Sequence, residues 1–169
     1  MKREQENHHD PTAEAVGESR TTERVEKRIL VVDDDSPVRE MLSRVLAGEG
    51  YGVLAAANGA EALEIAAAKK IDLVLLDLNM PGQSGWDTFE RLTASQPLLA
   101  VIIITGRPNQ LFTALGAGVG ALLEKPLDFP QLLQAVSRLL AETPESRLAR
   151  MAGQASGFYY NSSRPRKTE

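Results

Sequence analysis

Three charged signals, each placed directly after a short apolar run, dominate the chemistry that this chain of 169 residues can offer. Asp33-Asp34-Asp35 follows ILVV, Asp77 follows DLVLL, and Lys125-Pro126 follows GALLE. Carboxylates about 4 Å apart repel by roughly 4 kcal/mol per pair at an effective dielectric near 20, so a cluster of three calls for a hard cation, and magnesium is the expected occupant. One carboxylate then serves as nucleophile toward a phosphoryl group, with the metal and a lysine neutralising charge on the phosphoryl oxygens. Thr105, after AVIII, adds a hydroxyl donor at the rim of the same site.

These residues meet only if the runs before them end side by side. Short stretches, apolar on both faces and alternating with helical patterns, read as strands of a parallel sheet, whose carboxyl ends carry the binding site of an open α/β fold. Five strand–helix repeats are expected. The strands are placed at about Arg28 to Asp33, Tyr51 to Ala56, Asp72 to Asp77, Ala100 to Ile104 and Ala121 to Leu123.

The first helix is capped by Ser36, with Pro37 in its first turn and Val38, Met41, Leu42, Val45 and Leu46 facing inward. Asp35 is expected to serve a cap or turn rather than the site. Asn58 and Glu61 open the second helix as a capping box, which runs through Ala68. A third helix covers Trp86 to Ser95, and a short fourth one, Gln110 to Leu115, ends at Gly116 and Gly118. Asp128 caps the fifth, which turns Leu132, Leu133, Val136, Leu139 and Leu140 inward. Right-handed crossovers make this a doubly wound five-stranded sheet in the flavodoxin-like order 2-1-3-4-5.

The motifs VVDDDS, DLVLLDLNMPG, VIIITG and EKPLD, in this order and spacing over about residues 28 to 142, resemble the receiver domain of two-component response regulators. The resemblance implies that Asp77 takes a phosphoryl group from a sensor histidine kinase or phosphotransfer protein and that the chain then switches a downstream protein target. It implies that Asp34 and Asp77 bind Mg2+ directly, that Asn79 lends its backbone carbonyl, and that Asp33 holds the metal through water. It gives Thr105 and Lys125 to the phosphoryl oxygens, and receivers usually have a cis bond where Lys125-Pro126 stands. Many receivers carry an aromatic residue three positions before the lysine, and here that position is Leu122. Coupling is therefore expected to run through Thr105, Gly106 and the fourth helix, with Leu111, Phe112 and Leu115 on the responding surface.

Composition bounds the rest. With 43% hydrophobic and 25% charged residues the chain suits one globular domain with flanks, and the absence of cysteine excludes disulfides and thiolate metal sites. The first residues, MKREQENHHD, lack a signal-peptide core, and no run approaches the roughly 20 apolar residues of a membrane span. A cytoplasmic protein without membrane insertion is expected. The segments 1–27, 28–143 and 144–169 carry net charges of −2, −5 and +3, and the acidic body argues against nucleic acid as the main ligand.

Both flanks are expected to be mostly disordered, residues 1–27 because Val16 and Val25 are their only large aliphatics, and residues 144–169 as a basic tail without sustained periodicity. A short helix over Glu145 to Ala152 is the exception. His8-His9 reads as solvated, and Phe158-Tyr159-Tyr160 with Arg164, Arg166 and Lys167 reads as part of the disordered tail rather than as a docking or nucleic-acid segment. The 27 residues after Glu142 are too few for a helix-turn-helix domain, so no direct DNA binding is expected.

Two other functions bear weighing. Asp33–Asp35 contains the Asp-x-Asp of haloacid dehalogenase phosphatases, but Pro37 stands where those expect Thr or Val, and no acidic pair follows Lys125. A receiver-like interaction module that never takes phosphate is the other, and the complete set of site residues argues against it.

Overall fold

The computed structural model describes residues 26–82, 84–107, 109–154 and 157–162, in which strands and helices alternate along the chain. The elements are β1 (Arg28–Val32), α1 (Ser36–Gly48), β2 (Gly52–Ala56), α2 (Gly59–Ala68), β3 (Leu73–Asp77), α3 (Gly85–Ser95), β4 (Ala100–Thr105), α4 (Leu111–Gly116), β5 (Ala121–Glu124), α5 (Phe129–Ala141), α6 (Pro144–Met151) and β6 (Tyr159–Asn161). All strands are parallel and lie in the order β2-β1-β3-β4-β5-β6. The expected five-stranded core in the order 2-1-3-4-5 is present, with one further strand beyond it. Among the described residues no helix is long and apolar enough to cross a membrane.

Side chains of successive strand residues point to opposite faces, so a strand covered on both sides must be apolar throughout. β3 and β4 are buried at every position. In β1, Leu30 and Val32 join a core layer with Ala62 and Ala66 of α2, Phe89 and Leu92 of α3 and Ala114 of α4. Ile29 and Val31 join the opposite layer, formed with Leu42 and Leu46 of α1 and Leu132, Ala135, Val136 and Leu139 of α5.

Helix starts follow local hydrogen-bond chemistry. Asn58 Oδ1 accepts from Glu61 N–H at 2.9 Å while the Glu61 carboxylate accepts from Ala57 N–H at 2.7 Å, and Asp128 caps α5 through Gln131 N–H. At α1 the cap is Asp35, which accepts from Val38 N–H, so Ser36 is the first helical residue rather than the expected cap. Met41, expected to face inward, is 41% exposed, because it lies about 100° around the helix from the buried Leu42. α4 is closed by Gly118 just past its end, where a φ of 70° turns the chain so that Val119 N–H reaches Ala114 O.

The short helix expected over Glu145 to Ala152 is present as α6, and the largest departure from the sequence reading is β6, Tyr159–Asn161, in a tail expected to be disordered. Thr143 caps α6 through Ser146 N–H, the helix ends on Gly153 with φ 75°, and β6 docks beside β5. Tertiary partners supply what local composition lacks. Arg150, 7% exposed, bonds both oxygens of Glu142 and Gly118 O, while Arg147 bonds Glu142, Leu139 O and Leu98 O. Burial alone raises a carboxyl pKa, but the hydrogen bonds and charges of Arg150 and then Arg147 outweigh it and hold Glu142 below the ordinary glutamate value. Residues 1–25, with His8-His9, and residues 163–169, with the basic cluster, lie outside the described residues.

Candidate functional site

The carboxyl ends of β1, β3, β4 and β5 converge. Asp33 follows β1 directly, its N–H donating to Ala56 O at 3.2 Å, and is 1% exposed. Asp77 is the last residue of β3 and is 2% exposed. Gly85, at the start of α3, fits tightly behind it: a Cβ there would stand 2.6 Å from Leu78 Cα and 2.7 Å from Asp77 O. Thr105 closes β4 and is fully buried. Lys125 follows β5, its N–H donating to Thr105 O at 2.8 Å, and its bond to Pro126 is cis.

The side chains of Asp33, Asp77 and Lys125 meet. Lys125 Nζ lies 2.9 Å from Asp77 Oδ2 and 3.2 Å from Asp33 Oδ2. The other oxygens of the two carboxylates are held by the loops that follow them, Asp33 Oδ1 by Asp35 N–H and Asp77 Oδ1 by Asn79 N–H, both at 2.9 Å. Asp34 is exposed at the rim. One carboxylate oxygen from each of Asp33, Asp34 and Asp77 lies within 4.8 Å of the others, and among the described residues these three alone form such a group. The Thr105 hydroxyl oxygen accepts from Arg107 N–H at 2.9 Å.

Electrostatics set the character of the pocket. Burial first, then the neighbouring Asp77 charge, push the Asp33 carboxyl above the usual aspartate range, against the Asp35 N–H and the Lys125 ammonium. Burial disfavours the Lys125 ammonium too, yet the hydrogen bonds and charges of Asp77 and Asp33 outweigh it and raise its pKa. Three carboxylates against one ammonium leave formal negative charge uncompensated.

An all-oxygen donor set of this kind fits a hard divalent cation such as Mg2+. Asn79 contributes a second indication: its side-chain Oδ1 is buried without a hydrogen-bond partner among the described residues, and a Cβ at Gly106 would stand 3.1 Å from its Nδ2. The sequence reading considered only the backbone carbonyl of Asn79.

Asp35, by contrast, spends its carboxylate on the α1 cap. Sequence reasoning missed Arg39, whose Nη1 donates to Asp33 O at 2.6 Å and so braces the loop after β1 from the first turns of α1. Its signal is faint, a lone arginine on the half-buried side of a helix.

Residues 29–137 match the response regulator receiver domain family. The response regulator MprA of Mycobacterium bovis is 38% identical over 128 residues, which cover 74% of this chain and 56% of that protein. The DNA-binding transcriptional regulator NtrC of Escherichia coli is 37% identical over 125 residues, covering 72% of this chain and 26% of NtrC. This chain thus spans about half the length of the first relative and about a quarter of the second. A CheY-like receiver domain from Methanospirillum hungatei superposes with a TM-score of 0.65 at 31% identity, over 68% of this chain and 94% of that one. The response regulator TrrA of Thermotoga maritima, solved in complex with Mg(2+)-BeF, gives 0.63 at 34% identity, over 67% of this chain and 98% of that one.

Proposed function

This chain belongs to the response regulator receiver domain family, and from that premise we propose that Asp77 accepts a phosphoryl group from a sensor histidine kinase or phosphotransfer protein. The observation that carries the proposal is the Lys125 ammonium shared between the buried carboxylates of Asp77 and Asp33. A carboxylate oxygen of Asp77 attacks phosphorus, the P–N bond of the donor phosphohistidine breaks, and its electron pair returns to the imidazole, which takes a proton. The product is an aspartyl phosphate, which water hydrolyses back to the carboxylate.

Lys125 neutralises the transferred oxygens, and Thr105 gives up the Arg107 N–H contact to turn its hydroxyl toward them. Asp33, Asp34, Asp77 and Asn79 are the residues that would hold Mg2+, which supplies charge neutralisation of the phosphoryl oxygens. The chain catalyses only its own phosphorylation and dephosphorylation, in the cytoplasm, and its output is altered affinity for a protein target. The expectation of no direct DNA contact gains no support from the comparisons, since NtrC is described as DNA-binding.

Treatment with acetyl phosphate and Mg2+ should give an acid- and base-labile phosphate that Asp77→Asn abolishes. Labelling that persists in Asp77→Asn would move the acceptor elsewhere. No labelling at all of folded wild-type protein would favour the receiver-like interaction module.

A further inference from the structure

β6 lies along the edge of β5, and Tyr160 of the strand and Ser162 just after it both bond the residue that precedes the site lysine. Tyr159, Tyr160 and Asn161 pair with Ala121, Leu122 and Leu123. The Tyr160 hydroxyl donates to Glu124 Oε1 at 2.8 Å and the Ser162 hydroxyl to Oε2 at 3.2 Å, so both oxygens of one carboxylate hold the segment. Glu124 stands opposite Thr105 in the β4–β5 register, and Lys125, the next residue, bonds Thr105 O through its N–H and Asp77 through its ammonium. A continuous chain of contacts therefore joins the docked segment to Asp77.

The docking itself is slight. β6 has three residues, and Tyr160 is 39% exposed. Tyr159 adds a hydroxyl bond to Gln131 Oε1 at 3.1 Å and a ring 5.5 Å from the Arg138 guanidinium. So short an edge strand opens at low free energy compared with the sheet interior. Without it, β5 would present a row of unpaired backbone groups, the surface to which an extended segment adds as a strand.

We propose that residues 157–162 are a detachable edge strand, docked while Asp77 is unmodified and released when Asp77 carries a phosphoryl group, and that the uncovered β5 edge takes an extended segment of a protein partner. The inference rests on the reading of Asp77 as phosphoacceptor. A phosphoryl group there draws the Lys125 ammonium and the Thr105 hydroxyl inward from the two strand ends that flank Glu124. The Glu124 carboxylate then shifts against Tyr160 and Ser162, and the hydroxyl contacts are lost. The partner segment is one that places hydroxyl side chains on Glu124 as residues 160 and 162 do.

Hydrogen exchange on the full chain tests this, comparing Mg2+ alone with Mg2+ and beryllofluoride, with site loading read by fluorine NMR. Loaded protein should exchange at residues 159–161 about tenfold faster, a factor on the scale of one charge-assisted hydrogen bond. Unchanged protection in loaded protein overturns the release, whereas failure to load removes the premise about Asp77. A second arm needs no phosphate: the double variant Tyr160→Phe with Ser162→Ala should bind a fluorescent GFYYNS peptide that unloaded wild type does not. No peptide binding by a variant whose strand exchanges freely would overturn the β5 edge as an acceptor surface.

Discussion

The Lys125 ammonium stands 2.9 Å from Asp77 Oδ2 although 48 residues separate the two in sequence. Strands β4 and β5 bring them together: Lys125 N–H is tied to Thr105 O, and Asp77 lies opposite Ile104 in the β3–β4 register. The pair has consequences for both stability and signalling.

Lys125→Ala should leave Asp33 and Asp77 buried without their counter-charge. Full burial would set the cost at several kcal/mol, but the lysine side chain is 29% exposed, so about 1–3 kcal/mol is expected. Urea unfolding measures this, and Mg2+ should recover part of the loss. Phosphorylation and switching at wild-type level in this variant would refute the assigned role.

Mg2+ should stabilise the wild type by relieving repulsion within the cluster of Asp33, Asp34 and Asp77. At 100 times its dissociation constant a ligand adds about 2.7 kcal/mol to the native state. Melting with Mg2+ and with chelator should differ, and Asp34→Ala, at the exposed corner of the cluster, should erase most of the difference. Equal melting temperatures for the wild type would count against the site.

Glu142 anchors α6 through Arg150 and Arg147, and its pKa in the folded chain is lowered from 4.5. A carboxyl with a depressed folded-state pKa contributes stability that is present above its unfolded value and is lost as pH falls through its folded value. The stability gap between wild type and Glu142→Gln should therefore be largest near neutrality and narrow as pH falls below about 4.5. Chemical denaturation at stepped pH reads this directly, and a gap independent of pH would show that the ion pairs contribute little.

Leu122→Ala should cost about 2–5 kcal/mol, the usual range for emptying a fully buried leucine site. Leucine has no ring or hydroxyl to exchange partners, so phosphorylation should still change hydrogen exchange across residues 105–120 in this variant. Loss of that response, in a variant that still folds and loads, would make Leu122 part of the switch.

The sequence by itself determined the sheet, its strand order and the placement of the candidate site residues, because Asp33, Asp77 and Thr105 close runs that are apolar along almost their whole length and Lys125 follows the run ALLE. Such a run is stable only as a strand covered on both faces, and the end of a parallel strand has one place to go. Asp33, Asp77, Thr105 and Lys125 were legible for that reason. Asp35 and Ser36 were both read as caps for α1, since both are good caps one residue apart, and backbone geometry at the turn chose Asp35.

Only the tertiary structure decided how the expected helix α6 packs and that Tyr159–Asn161 form a strand. Their stability is not local: Arg150 is buried because Glu142 and Gly118 O lie opposite it, and Tyr159–Asn161 form a strand because the β5 edge offers the missing backbone partners. A three-residue strand leaves no periodicity to read. Its partners are fixed only after the sheet has formed.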